Sequence, residues 1–187
     1  MDDQLSKDGG HCQALEAVNK TKQIENDPFI LNCVAEQAWT GLALKDFGPP
    51  KGVVATRTFH PDDIVCDYHG QVITASEGRA IMQNLNDEAG YMFFFKSGQK
   101  SLCVDAQTFP CVCHPQIDTF GRRIKHSSKA ANVKPFCCTL TFDGQQKEVV
   151  LFKALVKIPV DCELKFDYGV NRKSFRGEGL DLEWLDE

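Results

Sequence analysis

The sequence has no apolar run approaching the length that a membrane span requires. Its opening, Met1-Asp2-Asp3-Gln4, carries neither a basic stretch nor an apolar one, so a secretory leader is not expected. Internal repeats and low-complexity tracts are missing, which argues against solenoid architectures. Positive charge is in short supply. Against 26 aspartates and glutamates stand 21 lysines and arginines, a formal net charge of −5. A chain of that sign does not grip nucleic acid tightly and without specificity. It suits a basic partner such as a histone tail, although mild acidity is common among soluble intracellular proteins. An intracellular compartment is the default expectation.

What is present is enough for one folded unit. A chain of 187 residues can bury one sizeable core and carry a short appendage. Nine cysteines, an odd number, are scattered through strand-like text rather than framing small loops. Reduced thiols are therefore expected. Cys66, Cys103 and Cys162 lie inside apolar segments and read as small buried hydrophobes.

Residues 1–46 read as a helical or flexible N-terminal extension. Residues 15–24 have helical spacing through Leu15, Val18 and Ile24. Asp27-Pro28 can open a second helix, with Asp27 as N-cap and Pro28 in the first position. Gly48-Pro49-Pro50 is a breaker and marks a boundary. Beyond it the text is short strands and turns. Residues 53–56, 64–68, 91–95 and 101–105 read as strands, the last two joined by a turn at Gly98. Residues 76–85 read as a helix capped by Ser76. Asp143-Gly144 is the favoured hairpin pair, between strands at 139–142 and 149–152. Residues 158–164 read as a turn and a strand, and 179–185 as a short helix or a packed tail. The architecture predicted is β-rich with peripheral helices.

Short blocks then follow one another in order. They are Lys51-Gly52-Val53-Val54-Ala55-Thr56, Cys66-Asp67-Tyr68-His69-Gly70, Tyr91-Met92-Phe93-Phe94-Phe95 and Cys103-Val104-Asp105-Ala106. Gly121-Arg122-Arg123-Ile124-Lys125-His126-Ser127 and Glu163-Leu164-Lys165-Phe166-Asp167-Tyr168-Gly169 complete the set. Together they resemble the SET-domain protein lysine methyltransferases from Gly48 to Leu185. Their wording is similar to the branch that monomethylates a lysine of the histone H-four tail. The resemblance implies a β-rich α+β fold, the SET fold: several small antiparallel sheets, a C-terminal pseudoknot and peripheral helices. It implies a core over residues 47–170 and a tail over 171–187 that packs on the cofactor site. It also implies transfer of methyl from S-adenosylmethionine to a lysine side chain, in the nucleus on chromatin, with the cytoplasm left open. The partners implied are a histone tail or another basic lysine-containing peptide, and the nucleosome, with no membrane.

Methyl transfer from a sulfonium to an amine sets three requirements. The lysine must lose its proton, although its ordinary pKa is about 10.4; an apolar, aromatic channel lowers that value. Nitrogen, carbon and sulfur must be held in line. The methyl and the positive sulfur need electron-rich surroundings. No metal is required. By resemblance, Tyr168 orients the donor methyl and the amine, and Tyr68 and Tyr91 stand near the lysine channel and the donor. Phe166 stands at the position that sets how many methyl groups are added. Without a hydroxyl to hold a channel water, it implies methylation beyond the first. The donor pocket would take Lys51 toward the donor carboxylate, Gly52, Lys125 and the backbone of His126 at the adenine. Arg122 would support that loop, and Trp184 would pack on the adenine. Read as residues alone, the tyrosines and Phe166 are equally core aromatics, and Trp184 an anchor for the tail.

Three positions depart from the family pattern. Lys125 stands where an asparagine is expected; it cannot accept a hydrogen bond and brings positive charge near a sulfonium. Gly48-Pro49-Pro50-Lys51-Gly52 replaces a G-x-G entry, and proline removes a backbone N–H and fixes the chain. Val170 replaces an acidic residue. These changes strike the cofactor pocket and predict reduced activity. The alternative is a catalytically inactive SET-fold protein that binds a peptide or chromatin. A zinc site is suggested by Cys111-Val112-Cys113-His114 with Cys137-Cys138. That spacing is not a standard one, adjacent cysteines rarely share an ion, and no cysteine follows Cys162, so no metal is expected. Arg122, Arg123, Lys125, Lys129 and Lys134 form a basic cluster that would face nucleosomal DNA or solvent.

Overall fold

Three small sheets carry the fold. In the computed structural model, residues 24–48, 51–85, 90–108 and 111–168 are described. The first sheet is an antiparallel pair, β1 (Leu42–Lys45) and β2 (Gly52–Ala55). Strand β1 was not anticipated; it lies ahead of the Gly48-Pro49-Pro50 breaker and pairs across it. The second sheet has the order β3-β9-β8-β10-β7. Its strands are β3 (Ile64–Asp67), β7 (Lys125–His126), β8 (Val133–Phe142), β9 (Gln145–Ala154) and β10 (Lys165–Phe166). The third places β6 (Lys100–Asp105) between β4 (Gln71–Thr74) and β5 (Met92–Ser97). Helix α2 (Ala75–Asn84) packs against β6.

Local chemistry explains most of these elements. Helix α1 (Pro28–Glu36) starts where the sequence predicts: the Asp27 carboxylate accepts from the Phe29 N–H at 2.9 Å and the Ile30 N–H at 3.4 Å. It stops at Gln37, which turns into the left-handed region at φ 51°. The β8–β9 hairpin turns on Asp143 and Gly144, both at positive φ, as a two-residue turn matched to strand twist requires. Both strands run to ten residues, longer than the expected 139–142 and 149–152. Residues 149–152 of β9 are all buried, in keeping with an unbroken apolar run inside a sheet.

Two expectations need correction. Ser76 does not cap α2. Thr74 does: its hydroxyl accepts from the Glu77 N–H at 3.2 Å, and the Glu77 carboxylate accepts from the Thr74 N–H at 2.8 Å. This reciprocal cap needs an acid three residues on, and Ser76 has Arg79 there instead. The strand expected within 158–164 is displaced as well. Ile158 and Glu163 make single bridges to Phe59 and Val54, and the paired strand is Lys165–Phe166.

Strand β10 is the element that builds the site. It lies parallel to both neighbours, with Lys165 opposite Lys125, and Phe166 opposite His126 on one side and Val133 on the other. The chain therefore returns into the space between two earlier strands. Asn132 holds it there. Its side chain donates to the Glu163 carbonyl at 2.8 Å and accepts from the Lys165 N–H at 2.9 Å. The Ser127 N–H adds a bond to the Phe166 carbonyl at 3.0 Å. Beneath lies one core that includes Phe59, Ile124, Leu140, Leu151, Phe152, Leu164 and Phe166. Cys66 and Cys103 are fully buried as expected, while Cys162 is half-buried. Every described cysteine is free. Residues 15–23 of the first expected helix, Pro49-Pro50, Val170, Trp184 and the tail lie outside the described residues.

Candidate functional site

The parallel pairing of β10 with β7 delivers Tyr168 to the strand that carries His126. The Tyr168 N–H donates to His126 Nδ1 at 3.1 Å, and the Tyr168 hydroxyl donates to the Ile124 carbonyl at 3.1 Å. Its ring lies 4.8 Å from that of His126 and 4.3 Å from that of Phe166. Burial, with Tyr91 nearby, pushes its phenol up to about 12.

Phe166 sits at the centre of an aromatic wall and is 2% exposed. Its ring is 4.8 Å from Phe152 and 6.0 Å from Phe93. Tyr68, at the end of β3, closes the wall at 5.2 Å from Phe93 and 6.4 Å from Phe152. Burial, and then the neighbouring Tyr168, raise the Tyr68 phenol far above its ordinary value. The chain has three tyrosines. All three gather here, close enough for the Tyr68 phenol to sense Tyr168 and Tyr91.

Tyr91 is half-buried ahead of β5. The Arg122 guanidinium lies 4.2 Å from its ring centre, and Arg123 donates to its hydroxyl at 3.3 Å. Arg122 is itself buried and donates to the Ala106 carbonyl at 2.6 Å. Burial, then repulsion from Arg123, lower its pKa. Arg123 forms a two-pronged pair with Asp118, at 3.0 and 3.2 Å. The basic cluster is thus not one solvated or DNA-facing patch. Two of its members turn inward, Lys125 is paired, and Lys129 and Lys134 are exposed.

Lys125 meets a carboxylate that the sequence did not single out for this role. Its Nζ is 3.3 Å from Glu163 Oε1, and Lys165 Nζ is 3.5 Å from Oε2. The Lys125 ammonium also stands 5.0 Å from the centre of the Phe47 ring. Gly52 makes this contact possible, because a β-carbon there would fall 2.5 Å from the Glu163 carboxylate and 3.0 Å from Phe47. Lys51 is exposed beside it. The structure therefore brings together Tyr68, Tyr91, Arg122, Phe166 and Tyr168 on the aromatic side, and Gly52, Lys125 and His126 next to it.

Sequence reasoning missed several supporting groups. The Ile124 carbonyl and Asn132 leave no side-chain signal of their role. Asp67, Gln37 and Trp39 form a buried network under Tyr68: Asp67 Oδ1 accepts from Trp39 Nε1 at 2.6 Å and from Gln37 Nε2 at 3.0 Å. Only Asp67 lay inside a recognised block. Gly121 packs so tightly on this strand that a β-carbon would run into the Asp67 carbonyl.

Small sheets with the last strand slid between two earlier ones define the SET class of fold. The SET-domain family profile matches residues 51–169. The chain belongs to the SET-domain family. It is 31% identical over 166 residues to the histone-lysine N-methyltransferase Set8 of Drosophila pseudoobscura pseudoobscura, covering 84% of this chain and 22% of that protein. It is 31% identical over 130 residues to the N-lysine methyltransferase KMT5A of Xenopus tropicalis, covering 68% and 35%. The chain thus spans about a fifth to a third of the length of these curated relatives. Among solved structures, CpSET8 from Cryptosporidium superposes with a TM-score of 0.58 at 26% identity, over 74% of this chain and 62% of that one.

Proposed function

We propose that this chain transfers a methyl group from S-adenosylmethionine to the side-chain nitrogen of a lysine in a protein substrate. The substrate class is a histone tail, met on chromatin in the nucleus. The activities in the names of its relatives, the histone-lysine N-methyltransferase Set8 and the N-lysine methyltransferase KMT5A, support this reading. The observation that carries it is the corner formed by the Tyr168 hydroxyl and the Ile124 carbonyl, 3.1 Å apart and walled by the Phe166 and His126 rings.

When bound, S-adenosylmethionine supplies an electrophilic methyl on a positively charged sulfur. The corner fits such a group, because two oxygens and two ring faces offer electron density to a cation. Tyr168 commits its proton to Ile124, so its oxygen keeps lone pairs for the methyl and for an incoming N–H. With its phenol held up to about 12, Tyr168 orients and is not the base. The wall of Tyr68, Phe93, Phe152 and Phe166 disfavours an ammonium and so favours the neutral, nucleophilic amine.

Lys125 fits better than its residue type suggests. Glu163, shared between Lys125 at 3.3 Å and Lys165 at 3.5 Å, offsets part of the positive charge beside the sulfonium. We assign the donor side to Lys51, Gly52, Tyr91, Arg122, Lys125 and the His126 backbone, with Trp184 supplied by the tail. Phe166 has no hydroxyl, which supports addition of more than one methyl group.

The test is transfer of labelled methyl by the 187-residue chain to histone-tail peptides, free histones and nucleosomes. Label on a lysine is expected, with dimethyl product found by mass spectrometry. A folded chain that gives no heat on titration with the donor, and no transfer, overturns the enzyme in favour of a binding module.

A further inference from the structure

Away from the methyl-transfer corner, His69 joins three side chains of the Cys111-Val112-Cys113-His114 stretch at one point. His69, Cys111, Cys113 and His114 each offer one ligand atom, and these atoms all lie within 4.8 Å of one another. The two sulfurs are 2.9 Å apart, and His69 Nε2 is 3.3 Å from Cys113 Sγ. The two imidazoles meet edge to face at 4.8 Å. We propose that these four residues bind one zinc ion in a closed tetrahedral site.

The donor set selects the metal: two thiolates and two imidazoles suit zinc and exclude the oxygen-preferring cations. Tetrahedral zinc at ordinary bond lengths separates its ligand atoms by about 3.3–3.8 Å. The His69–Cys113 distance of 3.3 Å already falls there, and the sulfurs, now 2.9 Å apart, must open by about 0.9 Å. Four protein ligands leave no position for water, so the site is structural rather than catalytic.

Outer hydrogen bonds prepare both histidines. His114 Nε2 is 2.7 Å from the Ala35 carbonyl, which can only accept, so the ring proton sits on Nε2. Its Nδ1 is then a bare lone pair, buried and without a hydrogen-bond partner. A buried acceptor left so is costly unless something takes it up. His69 Nδ1 lies 3.4 Å from Asp67 Oδ2. Gln37 Nε2 is also 3.0 Å from Nδ1, but its two hydrogens are taken by the Val34 carbonyl at 2.9 Å and Asp67 Oδ1 at 3.0 Å. The proton on His69 Nδ1 therefore points to Asp67 and leaves Nε2 free toward Cys113. Carboxylate or carbonyl behind each imidazole is the usual outer shell of a zinc-bound histidine.

This reverses the expectation of no metal. The expected partners, Cys137 and Cys138, lie on β8 and are not among the four. The missing ligand is His69, 44 residues before Cys113. The ion would tie α1, through Ala35, to the residue after Tyr68 and to the segment leading into Gly121. A cleft of about 490 Å³ lined by His69, Cys113 and His114 gives it a path of entry. The proposal stands independently of methyl transfer.

The whole chain, purified in reducing buffer without chelator, is expected to carry one zinc by elemental analysis. Exchange into cobalt is expected to give thiolate-to-cobalt charge transfer and tetrahedral d–d bands. Cys113→Ser should abolish both, Asp67→Asn should weaken metal binding by about 10–100-fold, and Cys137→Ser should change neither. Should the variants misfold, the cobalt spectrum of the unaltered chain decides. A spectrum without thiolate bands, a chain that stays metal-free when zinc is added, or a Cys111–Cys113 disulfide under these conditions overturns the proposal.

Discussion

Removing the hydroxyl of Tyr168 separates a tyrosine that faces the reacting atoms from one that merely packs. In Tyr168→Phe the ring stays, with its neighbours Phe166 at 4.3 Å and His126 at 4.8 Å. What disappears is one neutral hydrogen bond, to the Ile124 carbonyl at 3.1 Å. A bond of that kind contributes about 0.5–1.5 kcal/mol. In a protein of this size 1 kcal/mol moves the melting temperature by about 2–4 °C. A packing role thus predicts a loss of a few degrees and an unchanged rate per folded molecule. A reacting-site role predicts far more, because removing one preorganised stabiliser costs about 100–1000-fold in kcat, or about 2.7–4 kcal/mol. Labelled-methyl transfer and thermal melting on the same preparation distinguish the two. A rate within tenfold of the parent protein, measured on folded variant, refutes the reasoning. The phenol also makes a pH prediction. Its folded pKa, about 12, lies above the unfolded value of about 10. The folded state then holds its proton more tightly, so this contribution to stability is complete below pH 10 and is lost as pH rises toward 12. Parent protein should lose more stability than Tyr168→Phe across that window in denaturant titrations.

Three further outcomes follow from the same geometry. Phe166→Tyr should shift product toward monomethyl-lysine in mass spectra; dimethyl product at parental levels would show that this ring does not set the count. The new hydroxyl enters a wall that is 2% exposed, so the variant should also lose about 1–3 kcal/mol unless water reaches it. Glu163→Gln leaves the Lys125 ammonium without its countercharge, and donor affinity by calorimetry should fall about two- to fivefold, as for a partly exposed ion pair; unchanged affinity would mean that Lys125 does not face the donor. Trp39→Phe removes the N–H that donates to Asp67 at 2.6 Å, and stability should fall by about 1.5–3 kcal/mol, read as a lower melting temperature; an unshifted melting temperature would remove Asp67 from the supports of the site.

Much of the fold was legible because its signals are local. Asp27-Pro28 announced a helix start, and the structure shows the carboxylate on the N–H groups of Phe29 and Ile30. Asp143-Gly144 announced a hairpin, and both residues adopt the positive φ that such a turn needs. The cap of α2 was misplaced by two residues because serine and threonine are both good caps; the return bond from Glu77 selects Thr74. Strands β1 and β4 were missed: each is four residues long, and their pairing partners rather than their own text make them strands.

The candidate site divides the same way. The order of short blocks along the chain was sufficient to name the family and to single out Tyr168, Tyr68 and Phe166, since each block keeps its residues a few positions apart. Charge balance and ligand convergence were not readable in one dimension. Lys125 read as a lone positive charge, and the structure places the Glu163 carboxylate beside it. Arg122 and Arg123 looked like a basic surface until Tyr91 and Asp118 were found against them. Cys111, Cys113 and His114 were set aside as a metal site for their spacing with Cys137 and Cys138, and the structure places His69, two residues past β3, beside them. Hydrogen-bond caps and turn angles are settled within a few residues of backbone. Ion pairs and metal ligands are settled by which distant segments lie side by side, and here that depends on β10 entering between β7 and β8 and on the C-terminal end of α1 meeting His69 and His114.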